Sequence, residues 1–299
     1  MIKFIYERVM WRGLMLICFF CSLFDASAQI RPLGTQYYEN QYISNPAFAG
    51  VDKGININVA YRNQWRTIPG SPVTMNASGD YRMDKVGIGF NAYSDKAGLI
   101  GRTRIMGMYA YHLPLNGNNR ELHFGVSLGV MREQLNNELI IAAPDDLLAE
   151  SYNQRKPFID GDLGIAYTAE RITLQAALPN LKKFFQKDAG NTIEGSTYFL
   201  AVSYKMGISD DAVTMEPKLS FRGAKDIDNI WDIGANMKFE NNILSFMGMY
   251  HSDKSATFGV GIRYDKYFLQ GFYTSQMAAQ RQSTGGDFEL NLKINLRNY

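Results

Sequence analysis

Apolar and polar residues alternate with a period of two along most of this chain, from Gly54 almost to the carboxyl end. The last segment shows the pattern most clearly: Phe288, Leu290 and the apolar residues after them alternate with Glu289, Asn291 and the polar residues after them. Such alternation places apolar side chains on one face of a strand and polar side chains on the other, a period that a helix does not have. The chain is therefore predicted to be all-β.

Fourteen segments with this alternation are predicted to be strands. Single-chain bacterial outer-membrane barrels have an even number of strands, so the count fits that class. The predicted strands are residues 55–61, 73–81, 86–92, 105–111, 122–130, 163–167, 172–178, 198–206, 213–221, 231–239, 243–250, 256–264, 267–273 and 287–297.

The connections between these strands differ in length with their position in the order. Connections after even-numbered strands are mostly short, whereas three connections after odd-numbered strands are long, at residues 133–158, 179–195 and 275–286. Outer-membrane barrels have short turns at one rim and long loops at the other. A soluble β-sandwich has no reason to sort loop lengths in this way. The pattern therefore favours an antiparallel transmembrane β-barrel of about 14 strands over a large soluble β protein.

The amino-terminal residues have the pattern of a secretory signal. Three basic residues precede an apolar stretch of 11 residues at 14–24, and Ala26-Ser27-Ala28 fits a cleavage site. The stretch is too short to span a bilayer as a helix, and an uncleaved anchor is the alternative. The predicted organisation is a cleaved signal peptide at 1–28, an amino-terminal segment at 29–53 and a barrel at 54–299.

Cysteine content and charge exclude two classes of function. Both cysteines, Cys18 and Cys21, lie in the predicted signal, so the rest of the chain has neither disulfides nor thiolate chemistry. The signal holds three of the 31 basic and two of the 29 acidic residues, which leaves 28 against 27. This balance argues against a nucleic-acid-binding protein, which carries a concentrated basic excess. Past the signal, no run of about 18 apolar residues predicts a transmembrane helix.

The sequence shows no catalytic, cofactor or metal site that can be assigned to named residues. His112, His123 and His251 have no ligand-like spacing and are interpreted as lone polar residues. Asp160 and Asp162 lie two apart and share a strand face, where lumen polarity is favoured over a calcium site. A lipid-modifying barrel enzyme remains an alternative by fold analogy alone, because no G-x-S-x-G elbow is present.

Arginines lie on or beside the polar faces of the early strands, and acidic residues occur on similar faces. One interpretation is that these charges pair across a packed lumen, and the other is that they line a binding channel. The residues concerned are Arg62, Arg66, Arg82, Arg102 and Arg104, with Asp80, Glu121, Asp160, Asp162 and Glu289.

Many tyrosines lie at or near the predicted strand ends. In an outer-membrane barrel such residues form aromatic girdles at the two membrane interfaces, and aromatic packing in a core is the alternative. These tyrosines are Tyr109, Tyr111, Tyr167, Tyr204, Tyr250, Tyr264, Tyr267 and Tyr273.

The segment ahead of the first strand, residues 36–50, reads QYYENQYISNPAFAG. The residue before a proline is pushed out of the helical region, and Asn-Pro favours a turn, so Asn45-Pro46 argues against a helix here. The segment is therefore predicted to be an extended periplasmic lead-in or plug.

Several motifs of this chain occur together in one known family. They are Gln36-Tyr37, Asn45-Pro46-Ala47-Phe48-Ala49-Gly50 and Tyr61-Arg62-Asn63-Gln64-Trp65, with weaker matches further on. In these motifs the chain resembles the PorP/SprF family of type IX secretion system outer-membrane proteins. The candidate partner-binding residues taken from the resemblance are Gln36, Tyr37, Asn45, Pro46, Ala47, Phe48, Gly50, Tyr61, Arg62 and Trp65.

The resemblance implies a non-enzymatic outer-membrane barrel of the secretion and gliding machinery of Bacteroidetes-type bacteria, with no cofactor. The implied partners are outer-membrane lipids, periplasmic ring lipoproteins of the machinery and a secreted surface cargo protein, and not nucleic acid. It supplies no active-site residue. A porin-like channel for small solutes, suggested by the polar strand faces, is the alternative function.

Overall fold

The computed structural model describes residues 33–65, 70–115, 119–135, 147–182, 198–208, 213–223, 229–239, 243–275 and 285–296. The predicted signal peptide at 1–28, most of the three long loops and Arg66 lie outside the described residues. Among the described residues, no helix has the length and apolar character needed to cross a membrane.

Antiparallel strands account for most of the described chain, and each predicted strand is confirmed. Many strands extend beyond their predicted ends, because alternation is interrupted near the rims while the backbone pairing continues. The strands are β1 Ile55–Gln64, β2 Val73–Met83, β3 Val86–Ala97, β4 Ile100–Leu115, β5 Arg120–Leu135, β6 Phe158–Thr168, β7 Ile172–Leu178, β8 Tyr198–Tyr204, β9 Met206–Ile208, β10 Val213–Gly223, β11 Ile230–Phe239, β12 Leu244–His251, β13 Ala256–Tyr264, β14 Tyr267–Ser275 and β15 Asp287–Leu296; one short helix, α1, is Leu147–Asn153.

The sheet closes into a barrel, because β15 pairs with β1 and every strand except the short β9 pairs with a neighbour on each side. Strands β8 and β9 occupy a single position in this ring. Both pair with β10 in one register, in which Ser203 lies opposite Lys218 and Met206 opposite Met215. The interruption lies opposite Pro217, which has no backbone N–H to donate. The barrel therefore has fourteen positions, as predicted.

The faces of the barrel are reversed relative to a soluble protein. Along β1, Asn58 is 2% exposed whereas its neighbour Val59 is 50% exposed, and the alternation continues around the ring. Apolar side chains face outward, where lipid would cover them, and polar side chains face the lumen. The tyrosines predicted for the girdles also point outward, which excludes packing in a core.

Connection lengths separate the two rims much as predicted. The turns after β2 and β13 have two residues each, and the three long connections all lie at the opposite rim. One exception is the connection from β3 to β4, which is only Gly98 and Leu99 although it lies on the long-loop side. We refer to the two ends as the short-turn rim, where β1 begins, and the long-loop rim.

The plugged lumen as the candidate functional site

The lumen holds the chain's own amino-terminal segment, residues 33–50, which we call the plug. It folds as three 3-10 turns, Gly34–Tyr37, Gln41–Ile43 and Pro46–Phe48. The sequence predicts an extended segment without a helix, whereas the structure has these short 3-10 turns in a compact path and no α-helix within residues 33–50. Eighteen residues fully extended would reach roughly 60 Å, about twice the thickness of a bilayer core. A segment of this length must fold up to stay inside.

The plug runs down the lumen from the long-loop half to the short-turn rim. Near its start, the backbone N–H groups of Gly34 and Thr35 donate to the Glu289 carboxylate at 2.7 and 3.0 Å. Near its end, the Gly50 N–H donates to Asp80 at 2.9 Å, close to the turn that joins β2 to β3. Between these points most plug side chains are buried, so the plug fills this path.

The carboxyl-terminal half of the plug packs by shape against β3 to β6. Ala47, Phe48 and Ala49 form an apolar cluster with two methionines and one alanine of β4 and with Ala166 of β6. Three lumen-facing glycines make room for this half of the plug. A Cβ on Gly87 would lie 1.9 Å from Ala49 O, one on Gly125 2.1 Å from Ala47 N, and one on Gly164 2.0 Å from Asn45 Oδ1. We call these three glycines the glycine socket.

Asn45 and Tyr42 attach the same half of the plug to strand backbones. The side-chain oxygen of Asn45 caps the third turn by accepting from the Ala47 N–H at 3.0 Å. Its amide donates to two carbonyls, those of Ile165 and Ala176, at 3.3 Å each. The Tyr42 hydroxyl donates to Phe90 O at 2.7 Å. These contacts explain why an asparagine suits the turn, because its side chain both accepts and donates.

The amino-terminal half of the plug is held by charge. Glu39 is buried, lies 2.7 Å from Lys238 Nζ and 3.8 Å from Lys293 Nζ, and Lys293 also donates to the Glu39 carbonyl. Burial alone would raise the pKa of Glu39, but the two ammonium groups outweigh burial and hold the pKa below its ordinary value. The carboxylate therefore stays ionised at neutral pH and binds the plug to β11 and β15.

A third lysine reaches the plug from β10. Lys218 is buried, and its ammonium donates to Tyr37 O and, at 2.9 Å, to Gln41 Oε1. It also lies 4.8 Å from the centre of the Tyr38 ring, a cation–π contact. Together with Lys238, Lys293 and Glu289, Lys218 forms what we call the charged bed.

Most of the other lumen charges that the structure describes are paired, as the packed-lumen interpretation predicted, whereas Asp80 accepts from the Gly50 N–H and the Asn56 amide. Arg104 lies 3.3 Å from Asp160 and 2.7 Å from Asp162, so these two aspartates are part of an ion-pair network on the lumen face. The further pairs are Arg62 with Asp287, Arg82 with Glu121, and Arg102 with Glu133 and Asp95.

The interpretation of the histidines as lone polar residues is wrong. His112 and His123 lie opposite each other on β4 and β5, with their Nδ1 atoms 2.7 Å apart. His251 lies 2.6 Å from Asp232, which also pairs with Arg222, and the Tyr37 hydroxyl of the plug is 3.5 Å from the same ring. The missed signal is hairpin symmetry, since His112 and His123 are equidistant from the turn between their strands.

Comparison with known proteins identifies the family. The family model described as "Type IX secretion system membrane protein PorP/SprF" matches residues 26–294. The chain belongs to the PorP/SprF family. No curated protein sequence matches it.

The PorP/SprF chain shares its fold with solved outer-membrane barrels of very different sequence. Omp33 of Acinetobacter baumannii is 9% identical, with a TM-score of 0.50 over 83% of this chain and 100% of the other. The monoaromatic hydrocarbon channel CymD is 12% identical, with a TM-score of 0.54 over 92% and 95%. The toluene transporter TodX of P. putida is 10% identical, with a TM-score of 0.50 over 86% and 94%. At these identities the likeness concerns the fold alone.

The PorP/SprF motif residues separate into distinct environments. The plug contains Gln36, which is half-buried, and Tyr37, Asn45, Pro46, Ala47, Phe48 and Gly50, which are buried. Tyr61 is 41% exposed on the outer face, and Arg62 faces the lumen and pairs with Asp287. Trp65, at a positive φ of 52°, lies at the long-loop rim, where its backbone N–H donates to Gly286 O. The structure therefore does not bring the candidate residues into one surface.

The residues that hold the plug were not recognised from the sequence. They are the glycine socket, the charged bed and Glu39. Alternation places the socket glycines and the bed residues on lumen faces, but it does not indicate which of them meet a segment far away along the chain.

Proposed function

We propose that this barrel docks secreted cargo and machinery partners of the type IX secretion system at the outer membrane, as a non-enzymatic component of secretion and gliding. The observation that supports this most is the plug. A lumen filled by the chain's own buried segment, with most of its charges paired, offers little free path to a solute. The rims are then the surfaces left for function.

The two rims suit different partners. We infer that the short-turn rim faces the periplasm, as in other outer-membrane barrels, and meets ring lipoproteins of the machinery. The long-loop rim then faces outward and holds the surface cargo protein. Residues 1–28 serve as a cleaved export signal, residues 29–53 form the amino-terminal segment that contains the plug, and the barrel follows from residue 54.

The family-motif residues take different roles in this proposal. Those buried in the plug seat it in the lumen, and they reach a partner only after the plug leaves. Gln36 and Trp65 are half-buried, and Trp65 lies at the rim proposed to hold cargo. Tyr61 faces the membrane lipids.

A pull-down from native outer membranes in mild detergent tests the proposal. We expect periplasmic lipoproteins or one large surface protein to be recovered with the barrel in near-equal amounts. Deletion of the gene is then expected to abolish secretion or surface display of that cargo. Unchanged secretion and display of every cargo after deletion would contradict the proposal.

A porin-like channel for small solutes is the second candidate. It is favoured by the non-covalent attachment of the plug, because displacement of the plug would open the lumen, and two barrels of similar fold are described as hydrocarbon or toluene transport proteins. Planar-bilayer recordings separate the candidates. If the barrel is a docking protein, the full-length barrel should give no steady conductance. A steady, solute-dependent conductance would favour the channel, as would recovery of the barrel alone in the pull-down.

A further inference from the structure

The short-turn end of β4 and β5 brings together three side chains that resemble a metal-binding set. His112 and His123 lie opposite each other, and Glu121 lies two residues before His123 on β5. One ligand atom from each of the three lies within 4.8 Å of the others. Both imidazoles are fully buried, and the Glu121 side chain is 27% exposed. The partly exposed Glu121 side chain therefore gives a metal ion access to the site from the short-turn rim.

The outer nitrogens of the two rings already have partners of the kind that metal-bound histidines use. His112 Nε2 lies 2.9 Å from Ala49 O, and His123 Nε2 lies 2.7 Å from Thr168 Oγ1. A metal-ligating histidine almost always donates its second N–H to a carbonyl, carboxylate or similar acceptor, which fixes the ring. The two Nδ1 atoms then face each other between the rings.

Arg82 holds the Glu121 carboxylate in a position that is compatible with metal binding. Arg82 donates to Glu121 Oε1 at 2.8 Å and to Oε2 at 3.1 Å, and Oε2 lies 4.0 Å from His123 Nδ1. If Oε2 turns to a metal, Arg82 keeps its bond to Oε1 as an outer partner. Two imidazole nitrogens and one carboxylate oxygen leave a fourth tetrahedral position for water.

We propose that His112, His123 and Glu121 bind a divalent transition metal of the zinc class at the short-turn rim. Imidazole ligands favour this class, whereas calcium and magnesium prefer sets made of oxygen alone. Ligand atoms on tetrahedral zinc lie about 3.3 Å apart. The two Nδ1 atoms, which are 2.7 Å apart in the structure, must therefore separate by about 0.6 Å. Because Ala49 O can only accept, neutral His112 carries its proton on Nε2, so neutral His123 donates from Nδ1 to His112 Nδ1. Metal binding moves this His123 proton to Nε2, and Thr168 becomes its acceptor.

The proposed metal is linked to the plug through one hydrogen bond, from His112 Nε2 to Ala49 O. Phe48 of the plug also stacks on His123, with ring centres 6.4 Å apart. The site is thus complete only with the plug seated. The proposal does not depend on which partner the barrel docks, so it stands or fails separately from the proposed function.

Titration of the full-length mature barrel with Co²⁺ tests the site, with the barrel purified without a histidine tag. The mature chain is predicted to lack cysteine, and the whole sequence has three histidines, so few competing ligands exist. We expect one equivalent of Co²⁺ to give the visible absorption of tetrahedral cobalt and to be displaced by Zn²⁺. His123→Asn should lose affinity by at least about 10–100-fold, the range that changes to outer partners already produce.

His251→Asn is the matched control, because its ring pairs with Asp232 beside an arginine and lies outside the three-residue set. This variant should keep full Co²⁺ affinity. If His123→Asn does not fold, Glu121→Gln at the partly exposed rim should still weaken binding. No tetrahedral cobalt spectrum in the native barrel, or equal affinity in His123→Asn or Glu121→Gln, would overturn the proposal.

Discussion

The two halves of the plug are held by different physical means. Residues 45–50 pack against the strand backbone at the three socket glycines, where plug atoms occupy the space that a Cβ would need. Residues 34–41 meet the charged bed, where Glu39 pairs with two lysines and Glu289 caps two backbone N–H groups. Shape contacts act only at contact distance, whereas charge contacts attract over several ångströms.

This difference suggests how one segment is both placed correctly and kept releasable. The glycine socket admits only a narrow set of side chains and backbone positions, so it sets where the plug sits. Removal of one partner from a buried charge pair is strongly destabilising, because it leaves an uncompensated buried charge. A partner that supplies its own charge to Lys238 or Lys293 would therefore loosen the amino-terminal half first. The following changes test whether the two halves respond separately.

Removing Glu39 is expected to have the largest effect. Glu39→Ala removes the carboxylate of Lys238, whereas Lys293 keeps its pair with Asp52 at 2.7 Å. Breaking a buried pair in this way costs at most about 3–5 kcal/mol. Unfolding in detergent should show a loss of stability of this order. Limited proteolysis should cut the amino-terminal half of the plug, while residues 45–50 stay protected.

The control is Glu170→Ala, which removes an exposed glutamate from the turn between β6 and β7. It should leave both stability and protection unchanged. Equal exposure of both plug halves in Glu39→Ala would show that the plug moves as one unit, and the comparison between its halves would then fail.

A methyl group in the glycine socket should have the next largest effect. In Gly125→Ala the new Cβ would lie 2.1 Å from Ala47 N, so backbone must shift, and overpacking of this kind costs about 1–3 kcal/mol. Proteolysis should now release residues 45–50 first, the reverse of the Glu39 result. Gly248→Ala is the control, because a Cβ there meets nothing within 4 Å. Similar exposure in both alanine variants would argue against a socket.

Much of the fold could be predicted because one rule applies to all strands. Lipid outside and polar groups inside impose a period of two on every strand, so fourteen strands could be located from residues such as Ile57 and Asn58. Pro217, visible in the sequence, explains the break between β8 and β9 once the register is known. The register itself depends on turn geometry, which alternation does not give.

The site was harder to predict because it joins distant parts of the chain. Gly125 looks like other strand glycines until Ala47 is placed against it, and Lys293 looks like any lumen lysine until Glu39 is near. The exception is the histidine pair. Strand alternation with a turn near residue 117 places His112 opposite His123, so this contact was within reach of the sequence.

Asn45 should give the smallest effect and the finest distinction. Asn45→Ala loses the turn cap, worth about 0.5–2 kcal/mol, together with the two donor bonds to Ile165 and Ala176. Asn45→Asp keeps an acceptor for the Ala47 N–H but places a carboxylate beside two carbonyl oxygens. If the donor bonds to the barrel matter, Asn45→Asp should be less stable than Asn45→Ala in detergent unfolding. If capping alone matters, aspartate should retain near-native stability, and the attachment of residues 45–50 would then depend on the glycine socket and the apolar cluster.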